Sequence, residues 1–300
     1  MSRRSLGVAG RVGLIAVLAA SLAGCLDSSV PSAAPTTRIT PEPTAGTTVY
    51  ELGSKVWYAG LVLTIDRVSA TLDERGGLVD VLVGLANPGP ESAALSATLV
   101  LVVAGVRVEP TRESRIPDIP GEGSVAALLT YELQAIGSID DAVIEIGADP
   151  LHVARVPLRQ GAGDLVAFEP VALELTGTAT ASGLKLTLRG GELRWDLPDW
   201  WEELAGGLQA LTITYDATYA GDFAGGFAFT AENVALRLPD GTIIGARRDG
   251  HSQSVELIGA HKTKKGLSSR FEIPTGLTGN FALLVRNAGT EKTIAFAIGG

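Results

Sequence analysis

The sequence predicts an all-β protein: two tandem immunoglobulin-like antiparallel β-sandwiches after a signal peptide and a disordered tether. Apolar and polar residues alternate over short segments, which is the period of half-buried strands. Glycine and proline separate these segments, as in turns between strands. The same order of segments then occurs a second time along the chain, which is typical of a duplicated fold.

The composition sets limits on the class of protein. A chain of 300 residues that is 46% hydrophobic can bury a core, so disorder throughout is excluded. A single cysteine excludes an intramolecular disulfide and any site with several cysteine ligands. The formal net charge of −9 argues against nucleic acid as a main partner.

Residues 1–24 are predicted to be a signal peptide. Arg3, Arg4 and Arg11 give a positive start, and residues 12–24 (VGLIAVLAASLAG) form an apolar run. Because a membrane-spanning helix needs about 20 apolar residues, this run is too short to be one. Its length and its positive flank are those of a secretory signal.

The end of that run, Leu22-Ala23-Gly24-Cys25, resembles the lipobox of bacterial lipoproteins. The resemblance implies cleavage before Cys25, lipidation of its sulfur and acylation of the new amino terminus with a fatty acid such as palmitate. Two or more acyl chains anchor a protein stably. We therefore expect membrane lipid as a partner through Cys25, on the extracytoplasmic face of the cell membrane. The alternative is a plain signal peptide with a chance cysteine.

Residues 25–48 are predicted to be the lipidated cysteine and a tether. Residues 26–48 (LDSSVPSAAPTTRITPEPTAGTT) are rich in Ser, Thr, Pro and Ala and have little to bury. Such a segment holds a folded part away from the lipid surface.

The first sandwich is expected over residues 49–160. Its predicted strands are the period-two segments at residues 60–68, 79–85, 95–103, 125–133, 142–147 and 153–158. About seven strands in about 110 residues is the count of an immunoglobulin-like sandwich.

The second sandwich is expected over residues 164–300. Residues 183–188 (GLKLTL) match residues 60–65 (GLVLTI), and the later segments follow in the same order with longer loops. The boundary is placed at residues 160–163 (QGAG), a short flexible joint.

This pattern resembles the telokin-like immunoprotective extracellular domains, immunoglobulin-like modules of bacterial surface lipoproteins. The resemblance rests on residues 60–65, on the strand that ends at Asn87-Pro88 and on the glycine turn and end strand that follow. In that family an Asn opens a turn after the second strand, where Asn87 stands. The second copy has Tyr219-Ala220-Gly221 there and departs from the pattern. The resemblance implies a secreted β-sandwich without established catalytic residues.

The most unusual segment is an insertion in the second copy, residues 194–206 (RWDLPDWWEELAG). One interpretation is a short helix opened by Pro198 and stopped by Gly206, packed on the sandwich. The other is a sugar-binding surface. There Trp195, Trp200 and Trp201 stack on the ligand, and carboxylates accept hydroxyl hydrogen bonds. The carboxylates in question are Asp199, Glu202 and Glu203. A protein-partner contact is a further alternative.

No catalytic, metal or cofactor site is predicted. Residues 250–254 (GHSQS) resemble the nucleophile elbow of serine hydrolases but lack its final glycine. His251 and His261 have no tight metal-ligand spacing, and lone histidines usually form hydrogen bonds at surfaces.

We therefore expect a membrane-anchored envelope lipoprotein that acts as a non-enzymatic binding module through edge strands and loops. Its expected partner is an envelope protein or a glycan. One alternative is a carbohydrate-binding lipoprotein that uses Trp195, Trp200 and Trp201. A second is an envelope hydrolase whose site the sequence does not reveal.

Overall fold

The computed structural model describes residues 46–159, 161, 165–247 and 255–299. The all-β prediction is confirmed: the described residues contain no α-helix and form sheets whose strands are antiparallel, apart from one short parallel pairing. Two 3₁₀ turns occur, at Pro198–Trp200 and Ala231–Asn233. Within the same residues, no helix has the length and apolarity needed to cross a membrane. All of the described residues belong to one compact unit.

The described residues of the first half form eight strands: the six predicted segments and two more, an amino-terminal strand and a short strand at residues 106–108. They are β1 Gly46–Tyr58, β2 Leu61–Asp73, β3 Gly76–Asn87, β4 Leu99–Val103, β5 Val106–Val108, β6 Gly123–Gln134, β7 Val143–Ile146 and β8 Ala154–Pro157. One sheet has the order β6-β3-β2-β1, and the other has the order β5-β4-β7-β8.

Both sheets of the first half bury their inner faces in one hydrophobic core. Alternate residues of β3, including Val81 and Val83, point into it, as do Leu101 of β4 and Ile144 of β7. Two sheets that share one core form the layers of a β-sandwich.

The second half contributes the remaining strands. They are β9 Val166–Ala167, β10 Val171–Leu173, β11 Thr178–Ala181, β12 Leu184–Arg194, β13 Asp196–Leu197, β14 Glu202–Glu203, β15 Leu208–Tyr219, β16 Phe227–Phe229, β17 Val234–Arg237, β18 Ile243–Gly245, β19 Glu256–Ile258, β20 Lys262–Pro274, β21 Gly279–Asn287 and β22 Thr290–Ile298. The main sheet has the order β20-β15-β12, continued by β10 and β11, and the facing sheet has the order β18-β17-β21-β22.

The repeat seen in the sequence corresponds to a repeat in topology. The order β6-β3-β2-β1 of the first half recurs as β20-β15-β12-β11, and β5-β4-β7-β8 recurs as β18-β17-β21-β22. A second hydrophobic core joins the two sheets of the second half, with Tyr215, Phe271 and Phe281 at its centre. Each half therefore has its own hydrophobic core between two sheets.

The structure corrects the predicted boundaries at two points. Residues 46–48, assigned to the tether, belong to β1 and pair with residues 70–72 of β2. Just after the predicted joint, β9 does not enter the second sandwich but pairs in parallel with β1. The predicted signal peptide, Cys25 and most of the tether lie outside the described residues.

Candidate functional site

Residues 195–205, which we call the Trp hairpin, leave the end of β12 and return to the start of β15. The short helix predicted here is wrong. β13 pairs with β14 through Asp196 opposite Glu203 and Leu197 opposite Glu202. Only Pro198–Trp200 is helical, as a single 3₁₀ turn. The segment is therefore a hairpin whose tip carries the proline and two adjacent tryptophans.

Two buried carboxylates hold the Trp hairpin against the first half of the chain. Asp196 Oδ2 accepts a hydrogen bond from the backbone N–H of Gly60 at 2.6 Å. Glu203 Oε2 accepts one from the N–H of Ala59 at 2.9 Å. Ala59 and Gly60 form the turn between β1 and β2, so the hairpin caps the donors of that turn. The Gly60 bond, with the carboxylate of Asp196 as its acceptor, is of the stronger, charge-assisted kind.

His152, in the loop before β8, supplies a third contact from the first half. Its Nδ1 lies 3.0 Å from Glu203 Oε1. The side chains of His152 and Glu203 are 8% and 1% exposed. Nε2 of His152 is buried and has no hydrogen-bond partner among the described residues. This histidine is thus an interior group, contrary to the surface position expected for a lone histidine.

The pKa of Glu203 lies well above the usual range for a carboxyl group. Burial raises the pKa of Glu203 to about 7, although hydrogen bonds from His152 and Ala59 act against this effect. The nearby carboxylate of Asp196 raises the pKa further. Burial and the charge of Glu203 also raise the pKa of Tyr58 to about 12. The sequence suggested that Glu203 accepts hydrogen bonds from the hydroxyl groups of a ligand. It does not have that role, because it is buried and already bonded to Ala59 and His152.

The three tryptophans of the hairpin have different surroundings. Trp195 packs against Phe168, with ring centroids 6.0 Å apart, and Phe168 in turn contacts His152. Trp201 has a left-handed backbone (φ 51°) and packs against the first core. Trp200 is 37% exposed. The structure therefore brings Trp200 and Trp201 to one surface and uses Trp195 inside the joint between the halves.

That surface is one wall of a cleft of about 440 Å³ between the two halves. The cleft is lined by Gly60, Asn87, Gly89, Pro90, Glu91, Pro198, Asp199, Trp200 and Trp201. Trp200, Trp201, Glu91 and Asp199 therefore line one concave surface. Asp199 is also paired with Arg270 of β20 at 3.0 Å, and its side chain stays 48% exposed.

The opposite wall is built by the turn that Asn87 opens. Asn87 Oδ1 accepts a hydrogen bond from the N–H of Gly89 at 2.9 Å. Its Nδ2 donates to the carbonyls of Glu91 at 2.7 Å and Ile119 at 3.3 Å. The amide is buried with both ends satisfied, so Asn87 fixes the shape of this wall.

The remaining sequence candidates either lie away from the cleft or fall outside the described residues. His261 pairs with Asp222 at 2.8 Å at an exposed position. Residues 250–254, with the partial hydrolase motif, lie outside the described residues, as does Cys25. In the part of the chain that the structure describes, no group of three His, Cys, Asp or Glu side chains could hold a metal ion.

The sequence points to Trp200 and Trp201 but not to the other wall of the cleft. From the sequence Asn87 is only a turn residue, and nothing links Gly60 and Glu91 to a segment more than a hundred positions later. The partnership of His152 with Glu203 was missed for the same reason. Their separation of 51 residues has no local signal.

Comparisons with known proteins add no functional information. No protein-family model matches the chain, and no curated protein matches it. Among solved structures, the chain is similar to "the conserved domain protein from Bacillus anthracis" at 10% identity, with a TM-score of 0.26. That match covers 83% of this chain and 90% of the other.

Proposed function

We propose that this chain is a lipid-anchored envelope protein that binds a ligand, without catalysis, in the cleft between its two halves. The observation that carries the proposal is the position of Trp200 and Trp201 on one wall, facing the turn of Asn87 and Glu91 across the cleft. Large aromatic side chains left exposed beside polar groups are typical of binding surfaces.

The chemistry of the cleft favours a carbohydrate as the ligand class. The exposed indole of Trp200 offers an apolar face to a sugar ring, and the carboxylates of Glu91 and Asp199 can accept hydroxyl hydrogen bonds. A cleft of about 440 Å³ lies within the range of ordinary small-ligand sites. Trp195 has no part in this surface, because its ring packs on Phe168.

A glycan array probed with the purified full chain tests the ligand class. We expect binding to one group of glycans and its loss in Trp200→Ala. Phe223→Ala is the matched control, since Phe223 is a 68% exposed aromatic residue outside the cleft. Unchanged binding by Trp200→Ala would remove the cleft from the proposal, and binding to no glycan would remove carbohydrate as the ligand.

The anchor rests on the sequence alone. The residues Leu22-Ala23-Gly24-Cys25 after a short apolar run support lipidation at Cys25. The tandem sandwiches, in turn, support the resemblance to telokin-like immunoprotective extracellular domains. Cleavage before Cys25 would remove three arginines and no acidic residue, leaving a formal charge of −12. Such a chain is repelled by an anionic membrane surface and extends outward from it.

Metabolic labelling with a fatty-acid probe tests the anchor. We expect the chain to be labelled in its host and the label to disappear in Cys25→Ser. Ser28→Ala, a change of similar size outside the motif, should keep the label. Labelling that persists in Cys25→Ser would contradict lipidation at this residue.

A further inference from the structure

We infer that Glu203 and His152 form a proton-controlled latch between the two halves of the molecule. While the pair holds its proton, the Trp hairpin stays docked on the β1–β2 turn; when that proton leaves, the hairpin loosens. The latch is a property of the ligand-free fold, and only its consequence for ligand binding rests on the proposed function.

The position of the pair supports this inference. Glu203 belongs to the second half, and both of its oxygens bind groups of the first half. Oε2 accepts from the N–H of Ala59, and Oε1 lies beside Nδ1 of His152. Backbone hydrogen bonds continue the contact, because His152 N–H donates to the Leu204 carbonyl and Gly206 N–H donates to the Pro150 carbonyl. A change at Glu203 therefore acts where the hairpin meets the first half.

The charges around Glu203 decide which protonation state favours docking. Asp196 lies opposite Glu203 in the hairpin and carries a negative charge, which Arg194 offsets by a hydrogen bond of 2.7 Å. Tyr58 of β1 adds a neutral hydroxyl, which donates to the His152 carbonyl. His152 is hydrogen-bonded to Glu203 and can share a proton with it. Loss of that proton leaves a second buried carboxylate next to Asp196.

Contact with water would stabilise this charge. Movement of the hairpin away from the first half would give water access to Glu203. An ionised carboxylate that is cut off from water is costly unless it is fully paired. Burial accordingly raises the pKa of Glu203 to about 7, so the proton leaves near neutral pH. Nε2 of His152, buried without a partner among the described residues, would gain a hydrogen bond from the same water.

Hydrogen exchange at the backbone N–H groups of Ala59 and Gly60 reports directly on docking, because the hairpin carboxylates are their acceptors. We expect their protection factors in the ligand-free full chain to fall about tenfold between pH 6 and pH 8.5. A tenfold change corresponds to roughly one unit of pKa. Protection factors already account for the intrinsic effect of pH on exchange.

Two variants separate the latch from a general effect of charge. Glu203→Gln keeps a neutral acceptor for Ala59 and should hold the protection factors constant across this range. Glu202→Gln removes the same charge from the exposed neighbouring position and should behave as the wild type does. Equal protection at both pH values in the wild type, or an unchanged fall in Glu203→Gln, would overturn the inference.

If Glu203→Gln fails to fold, the wild type alone still gives an answer. The carboxyl carbon of Glu203 in glutamate-labelled protein should titrate near neutral pH by NMR. A midpoint at the ordinary value of a glutamate would overturn the latch. Because no ligand is present, this result is independent of the glycan-array experiment.

Discussion

Glu203 and Ala59 are 144 positions apart, and the carboxylate of the first accepts a hydrogen bond from the backbone of the second at 2.9 Å. This bond and its neighbour between Asp196 and Gly60 make the insertion of the second half a structural part of the first. The cleft exists because of this docking, since Gly60 forms part of its lining and the hairpin tip forms one wall.

The stability of the fold should depend on pH through Glu203. Its pKa rises from 4.5 to about 7 on folding, so the folded state binds this proton more tightly than the unfolded state. The resulting stabilisation is complete below pH 4.5 and is lost as the pH rises through 7. We expect the free energy of unfolding to fall by roughly 3 kcal/mol between pH 4 and pH 8.

Urea unfolding of the wild type, Glu203→Gln and Glu202→Gln measures this contribution. Between pH 4 and pH 8, the free energy of unfolding should fall less in Glu203→Gln than in the wild type, by most of the roughly 3 kcal/mol. In Glu202→Gln it should fall as much as in the wild type. Parallel curves for all three proteins would contradict the assignment to Glu203.

Gly60→Ala should displace the Trp hairpin. A Cβ atom at this position would lie 2.8 Å from Cα of Pro198, and Gly60 also has a φ of +81° that disfavours a side chain. We expect a loss of stability of about 2 kcal/mol and a marked change in Trp fluorescence. Gly105→Ala, at a turn of similar φ with open space around it, isolates the effect of backbone strain. Equal losses in the two variants would show that contact with Pro198 is unimportant.

Asn87→Ala should open the turn that forms the other wall of the cleft. The change leaves the Gly89 N–H without its acceptor and the Glu91 carbonyl without its closest donor. Both bonds are partly buried, so their loss should cost about 1–2 kcal/mol, below the full cost for completely buried groups. Chemical unfolding should show a loss in this range, whereas Asn287→Ala, which removes an exposed bond to Ser182, should cost less.

Trp200→Ala should mainly weaken ligand binding, whereas Trp201→Ala should mainly reduce stability. Trp200 is 37% exposed at the cleft, so its loss should cost less stability than the loss of Trp201 while weakening ligand binding. Trp201 packs against the first core, and its truncation should cost roughly 2 kcal/mol. Thermal unfolding of both variants checks this contrast. A larger loss for Trp200→Ala would mean that its ring is structural.

Much of the fold could be predicted because its signals are local. The alternation of Val79, Val81 and Val83 indicates a strand with one buried face, and β3 confirms it. Gly183 repeats the turn glycine Gly60 ahead of a matching strand, and the corresponding sheets have the same order. Such patterns depend on neighbours two residues away, so one sequence is enough to reveal them.

The site could not be predicted in the same way, because its contacts are long-range. Pro198 and Gly206 favoured a helix by local rules. The side chains of Asp196 and Glu203 instead bind the turn at Ala59 and Gly60, and this tertiary contact determines the hairpin. Likewise, β9 belongs by sequence to the second copy but pairs with β1. Neither contact is indicated by the sequence around the residues that form it.

The parallel pairing of β9 with β1 also bears on any attempt to produce the halves separately. The N–H of Lys55 in β1 donates to the carbonyl of Leu165, and Ala59 and Gly60 donate to the hairpin. A fragment that stops at Arg159 would lack the acceptors of all three N–H groups. The edge of β1 freed at Lys55 can pair with strands of other chains, so we expect such a fragment to aggregate more readily than the whole protein.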